Sequence, residues 1–505
     1  GPAPDQGLCV KVFERDEEQE AAIRTMVTTS APGCVNGSQT GRGKTVMAVR
    51  VAHERGSKRT LIIAPPNTYD NWAPTVEAVA GQKLRFCGNS KLGDVTAAEA
   101  KANMADAQAG EDGWFFVGRE MFLAQCRKKV LCFNRKKEPI VDPRTGEQKV
   151  RTDFDYKWGK VKPFGVAAYD EVQMISSTTA KSNQAFKYLQ ADFKMLQSAD
   201  WFGSDLSNMY NIANLAFPGW LDMTKLEFIE NYLTTEYDHF AWKNIKVTGE
   251  EWPGFFASSM PCYVALPPAV EKPEPERRYV DLSPAQRKLY DKLENDMVAE
   301  IEGDYLVIDL PMHLSMRLHE LALGMFKPVY GTRINKETGE VENTTTIEFE
   351  EGAESSKLDE VKSIMRDYPG EHFIILTHSQ KFAEKAAKDL GGLPYTGKQS
   401  ISEKAENKRA FLAGETKILV GTDAMAEGLD GLQDVCHHGI IVSRPLRSYA
   451  TSQWIGRIAR RGQKHGVQIH EIVARNTRDT GRLSAMIEKA LANNRAKAIQ
   501  KKEEK

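Results

Sequence analysis

Ser38-Gln39-Thr40-Gly41-Arg42-Gly43-Lys44-Thr45 decides how the rest of the chain is read. It follows the short run Cys34-Val35-Asn36 and opens a helical pattern from Val46 to His53. Strand, Gly-rich turn and helix in that order are the context that a phosphate-binding loop requires. Ser38 stands where such loops usually carry their first glycine. Small residues let backbone N–H groups close on phosphate oxygens, and the helix N-terminus adds a favourable dipole. Lys44 is placed as a point charge on the β- and γ-phosphates, and Thr45 as a Mg2+ ligand. Ser38, Thr40, Gly41 and Gly43 complete the cradle. A Gly-rich turn without chemistry is the competing reading, and Gly-Lys-Thr with a helix behind it argues against that.

Working outward, short apolar runs read as buried parallel strands. Thr60–Ala64, Trp114–Val117 and Val166–Asp170 form one set; Phe373–Thr377, Ile418–Gly421, Gly439–Val442 and Val467–His470 form another. Helical patterns such as Glu20–Val27 and Lys381–Leu390 separate most of them. Alternating strands and helices indicate parallel sheets covered on both faces, so the fold class is α/β with two lobes. Between the lobes, helical patterns run from Pro284 to Ile301 and from His313 to Phe326. Gly331–Glu354 is polar and charged and reads as a mobile loop. Arg127–Lys162 is an insertion between two strands of the first lobe, and Leu483–Lys505 reads as a helix ending in a charged tail.

Two further clusters carry chemistry. Tyr169-Asp170-Glu171-Val172-Gln173 ends a strand at the sheet edge where ligands of open α/β sheets bind. Adjacent acids there are costly unless a metal or a proton transfer uses them. Asp170 is placed on Mg2+ through water, and Glu171 as the base that orients and deprotonates the attacking water. Farther on, Arg457 and Arg460 are three residues apart and share a helix face. Such a guanidinium pair suits charge developing on a triphosphate during hydrolysis. The stretch Gly421–Asp430 again reads as a strand leading into a cleft-lining loop. A solvated basic helix is the bland alternative.

The bulk properties are those of a globular chain. It has 505 residues, 41% of them hydrophobic and 27% charged, and no apolar run long enough to span a membrane. No signal-peptide pattern opens the sequence. Seven cysteines, at 9, 34, 87, 126, 132, 262 and 436, include no CxxC pair. Zinc and redox motifs therefore lack support, and an intracellular, reducing compartment (cytoplasm or nucleus) is expected. Sixty-eight basic against sixty-nine acidic residues give a net charge of −1. A polyanion partner stays open, because binding one needs a basic track and not a basic protein.

Taken in order, these residues resemble a superfamily-two helicase, and more narrowly the Swi/Snf family of double-stranded DNA translocases. Gln19-Glu20-Ala21-Ala22-Ile23 is similar to the family's adenine-reading Gln motif. Leu61–Pro66 followed by Asn71-Trp72 resembles its first strand-contacting motif. Asp170-Glu171-Val172-Gln173 stands where the family has Asp-Glu-x-His, so Gln173 departs. Phe202–Asn208 keeps Gly203 and Asn208 of the coupling motif but loses its Thr and Pro. Val280–Ser283 with Gln286 and Tyr290, Ser356-Lys357-Leu358, Glu427-Gly428-Leu429, Gly456–Gln463 and Thr477 resemble the features that set Swi/Snf proteins apart.

The resemblance implies two RecA-like lobes, with helical insertions between them. Residues 1–275 would form the first, with a basic insertion at 127–163. Residues 276–353 would be a linker and helical protrusion, 354–475 the second lobe, and 476–505 a closing helix and tail. It implies an ATP hydrolase using ATP and Mg2+, with Gln19, Gly428 and Gln453 touching nucleotide and Gln173 coupling to it. Arg457 and Arg460 would act on the same ATP as Lys44, Thr45, Asp170 and Glu171. Its partner would be double-stranded DNA, held by backbone contacts without sequence preference; no protein partner is indicated, and no membrane. Candidate contacts are Asn67, Thr68, Trp72, Arg119, Thr377, His378, Gln380 and Thr422. Arg127, Lys128, Lys129, Arg135, Lys136 and Lys137, with Tyr156 and Trp158 nearby, make the insertion a candidate hairpin or loop on DNA. Two alternatives remain: a strand-separating DNA or RNA helicase, and a nucleotide-gated DNA adaptor with little turnover.

Overall fold

The computed structural model describes residues 16–481 apart from 134–137, 142–145, 147, 156, 178–180, 204, 239–242, 248–254, 297, 302–303, 308–310, 335–340, 351, 427–428 and 446–447. These fall into two compact units, one of 16–232 and 255–267, the other of 233–247 and 268–481.

The first unit is built on a seven-stranded sheet. Its strands are β1 (Gly33–Asn36), β2 (Arg59–Ala64), β3 (Leu84–Cys87), β4 (Gly113–Gly118), β5 (Phe164–Asp170), β6 (Ala191–Gln197) and β7 (Tyr263–Val264). Their spatial order is β7-β1-β6-β5-β2-β4-β3, and every pairing is parallel. Helices α1 (Glu17–Thr28), α2 (Lys44–Glu54) and α3 (Tyr69–Ala80) are among those covering it. Burial on both faces explains the unbroken apolar runs in β2 and β4, which betray these strands in the sequence. Strand β6 escapes such a reading because it carries Lys194 and Gln197. Lys194 is buried and donates to the carbonyl oxygens of Phe186 (3.1 Å) and Lys187 (3.0 Å). Burial lowers its pKa to about 8.

The insertion between β4 and β5 contains an antiparallel hairpin, Arg127–Leu131 against Val150–Phe154. Trp158 belongs to the core at its base, where it is buried, stacked on Phe122 and donating Nε1 to the Phe122 carbonyl at 3.3 Å. The side chains of Arg127, Lys128 and Lys129, and residues Arg135, Lys136, Lys137 and Tyr156, lie outside the described residues.

The second unit carries a six-stranded parallel sheet of β8 (Glu276–Val280), β9 (Phe373–Leu376), β10 (Leu393–Tyr395), β11 (Ile418–Gly421), β12 (His438–Ile441) and β13 (Gln468–Ala474). The order is β8-β13-β12-β9-β11-β10. Both sheets match the α/β, two-lobed expectation. Two local expectations fail. The helix from Pro284 stops at Asp296, and Val298–Ile301 pairs antiparallel with Asp304–Val307. The polar stretch expected to be a loop supplies most of another hairpin, Lys327–Ile334 with Val341–Glu348. Thr344, Thr345, Thr346 and Ile347 are β-branched and suit a ladder, a preference that overall polarity conceals.

Several residues that carry the family resemblance meet in this unit. Gln286 donates Nε2 to the Leu321 carbonyl at 3.1 Å, and its Oε1 accepts from the Ser356 hydroxyl at 3.2 Å. The buried Lys357 donates to the Val442 carbonyl (2.7 Å) and pairs with Asp479 (2.5 Å). The Tyr290 hydroxyl accepts from the Arg478 backbone at 2.9 Å. Leu483–Lys505 lies outside the described residues. Among the described residues no helix is long and apolar enough to cross a membrane.

Candidate active site

Strands β1, β5 and β6 end side by side, and the loop after β1 turns into α2. Gly41 (φ +83°) and Gly43 (φ +69°) take left-handed conformations, which lets the backbone curl into a cradle before Lys44 starts the helix. Ser38 is fully buried; its hydroxyl accepts from Leu266 N at 3.1 Å and its N–H donates to Asn36 Oδ1 at 3.1 Å. Lys44 Nζ donates to the carbonyls of Ser38 (3.0 Å) and Gln39 (3.4 Å), so its ammonium sits inside the loop. Thr40 and Thr45 are half-buried on the same loop and first helical turn.

The loop is braced from α1. Asp16 caps that helix, accepting from Gln19 N at 2.8 Å, and returns a bond from its own N–H to Gln19 Oε1 at 3.3 Å. Gln19 Nε2 donates to the Arg42 carbonyl at 2.7 Å. The buried Arg42 guanidinium pairs with Asp16 (2.9 Å) and with Glu18. Gln19 is thus engaged at both ends of its amide with protein. The sequence marks Gln19 for nucleotide and is silent on the Asp16–Arg42–Glu18 clamp, whose partners lie more than twenty residues apart.

Asp170 closes β5, and Gln197 at the end of β6 donates to its Oδ1 at 3.0 Å. Burial, then the negative charge of Glu171, pushes the Asp170 carboxyl up to about 6, against the pull of Gln197, Lys44 and Arg119. Glu171 has φ +55°, one of two non-glycine residues with positive φ among those described. Holding a side-chain-bearing residue there costs of order 1 kcal/mol, and such outliers gather at functional sites. Glu171 Oε2 accepts from Gln173 Nε2 (2.7 Å) and from the Ser198 hydroxyl (3.1 Å). Gln173 is buried, and its Oε1 has no hydrogen-bond partner among the described residues. Gly203 lies directly against Gln173; a Cβ there would stand 3.5 Å from the Gln173 Cβ. Gln197 and Ser198 are missed by the sequence reading because only the β5–β6 register brings them to the acids.

Two close carboxylates, one of them made a weaker acid by burial, are what a divalent cation would reverse. With Lys44 near enough to act on Asp170, the donor set fits a Mg–nucleotide complex. Arg119, expected on DNA, has its charge acting on this same acid. Trp72 is only 1% exposed and packs in the core through α3, so it has no surface with which to meet DNA as folded. Asn67 and Thr68 are half-buried in the turn before α3.

In the second unit, Thr377, Thr422 and Ser443 follow the C-terminal ends of β9, β11 and β12. Ser443 Oγ shares hydrogen bonds with Thr377 Oγ1 (3.0 Å) and His378 Nδ1 (2.7 Å). Thr377 and Thr422 are buried, His378 half-buried and Gln380 exposed. Arg457 donates Nε to the Ala426 carbonyl at 3.0 Å, and both Arg457 (3.5 Å) and Arg460 (2.5 Å) pair with Asp430. Burial works to raise Asp430, yet the charges of Arg457 and Arg460 hold it down at about 2. The helical spacing expected of the two arginines is not what joins them: the helix Ser448–Ile455 has ended, both lie in the turns that follow, and Asp430 is the acid that gathers them. Gln453 is buried, and Gly428 lies outside the described residues.

Residues 356–462 match the family described as helicase conserved C-terminal domain. The match supports a helicase of superfamily two and indicates helicase-like, ATP-dependent activity on nucleic acid. No curated protein matches the chain at a significant level.

Proposed function

We propose that this chain is an ATP-driven motor of the Swi/Snf type that translocates along double-stranded DNA. The observation that carries the reading is the convergence of Lys44, Asp170, Glu171 and Gln173 on one sheet edge, in a chain whose residues 356–462 match a helicase domain. Lys44 and the loop amides bind and orient the phosphates. Glu171, held by Gln173 and Ser198, takes the proton of the attacking water. Thr45 and Asp170 would hold Mg2+, which when bound neutralises charge on the transferred phosphoryl group. Arg457 and Arg460 supply further positive charge once they exchange Asp430 for phosphate. Gln173, with an Oε1 unpaired among the described residues and with its Cβ against Gly203, passes the state of the site to the coupling motif. Thr377, His378, Thr422, Asn67, Thr68 and Arg119 are the proposed DNA-facing set.

Lys44→Ala and Glu171→Gln should each cut ATP turnover roughly 100-fold or more while leaving thermal unfolding cooperative. Full turnover in either variant overturns the assignment. Stimulation by duplex DNA, single-stranded DNA and RNA, measured beside triplex displacement and fork unwinding, separates the finer readings. Duplex stimulation with triplex displacement is expected. Fork unwinding driven by single strands alone would replace translocation with strand separation, and DNA binding without turnover would leave an adaptor.

A further inference from the structure

The N-terminal ends of the second sheet's inner strands hold a cluster that the motor reading does not use. Strands β13, β12 and β9 are neighbours, and their register aligns Phe373 with His438 and His438 with Gln468. The residues leading into these strands therefore converge. They bring Glu371, His437 and His438 together, with one ligand atom of each lying within 4.8 Å of the others. His437 Nε2 stands 3.8 Å from Glu371 Oε2, and the His465 ring stacks on His437 with centroids 4.8 Å apart. These groups line an open cavity of about 510 Å³ together with Asp367 and Tyr368. His438 is 3% exposed, and its Nδ1 is buried without a hydrogen-bond partner among the described residues. A buried imidazole nitrogen left unpaired costs free energy unless something outside the protein uses it.

We infer that Glu371, His437 and His438 form a binding site for a Zn2+-class divalent metal ion, with His465 placed to become a fourth ligand. Two imidazoles and one carboxylate suit zinc, cobalt or nickel rather than the all-oxygen preference of magnesium or calcium. Ligand atoms on a tetrahedral zinc stand about 3.3 Å apart, so shifts of about 1 Å by side-chain rotation would close the set. Tyr368 and Phe373 pack against the His438 ring at 4.4 and 5.2 Å and fix its orientation. The bound ion would tie the approach to β9 to the starts of β12 and β13, far along the strands from Thr377, Thr422 and Ser443. Its role is a brace on the sheet.

The test titrates the full chain, freed of metal by chelation, with zinc chloride in a calorimeter, followed by cobalt chloride with visible absorption. One equivalent of zinc and an intense tetrahedral cobalt spectrum are expected. His437→Ala and Glu371→Gln, both at partly exposed side chains (20% and 44%), should weaken zinc binding at least tenfold and leave the chelated protein's unfolding midpoint unchanged. Absence of zinc binding, binding spread over several weak equivalents, or equal binding by both variants would overturn the site. ATP turnover is not the readout, so failure here is separate from failure of the motor reading.

Discussion

Asp430 receives both Arg457 and Arg460, so a single carboxylate holds two guanidinium groups in place. Its pKa sits near 2 where an unfolded chain has about 3.9, and the unfolded state therefore binds more protons between those values. Stability from this group is complete above about pH 4 and is lost as pH falls toward 2. Asp430→Asn should cost about 2 kcal/mol at pH 7, a penalty that shrinks in urea unfolding repeated at pH 3. A constant difference across that range would mean that the charge pairing contributes nothing. The sequence shows the arginines as a basic run, but their helical spacing does not describe the turns they occupy, and Asp430, thirty residues from Arg460, gives no local sign of pairing.

At the scale of elements, the clearest lesson comes from α3. Its Trp72 aligns with a motif that touches nucleic acid in the resembled family, whereas here the indole is enclosed. Tyr69, on the same helix, bonds the Leu84 carbonyl at 2.8 Å and meets Phe86 and Phe116 edge-on. Trp72→Ala should destabilise the protein by about 3–5 kcal/mol, seen as a lower thermal midpoint. A DNA-touching residue would instead weaken DNA binding at constant midpoint, and that result would refute the packing role. The two hairpins after Asp296 teach the converse. Helical spacing continues past Asp296 in the sequence, and only pairing with Asp304–Val307 shows that Val298–Ile301 is extended. Strand pairing is a long-range choice, so periodicity in one segment cannot reveal it.

For the whole molecule, the net charge of −1 hides a local arrangement. Asp16 and Glu18 pair with Arg42 in the loop before α2, so part of the acidic N-terminal cluster offsets a structural cation. Replacing Arg127, Lys128, Lys129, Arg135, Lys136 and Lys137 by Ala should flatten the salt dependence of DNA binding. The log–log slope should fall by about 0.9 for each phosphate that the insertion no longer neutralises. An unchanged slope would remove the insertion from the proposed DNA-binding surface.

The Ser38–Thr45 loop before its helix, the acids at the end of β5 and the apolar strands could be read directly, because each is a run of neighbours whose local conformation the residue pattern sets. Two parallel sheets followed from those runs. Tertiary structure alone decided which distant groups meet them: Gln197 and Ser198 on the acids, Asp16 and Glu18 on Arg42, and Asp430 on its two arginines. It also gathered a histidine cluster that cysteine spacing could never announce. Sheet register and burial place these partners, and both are properties of the folded chain, set by contacts between segments that no local pattern encodes.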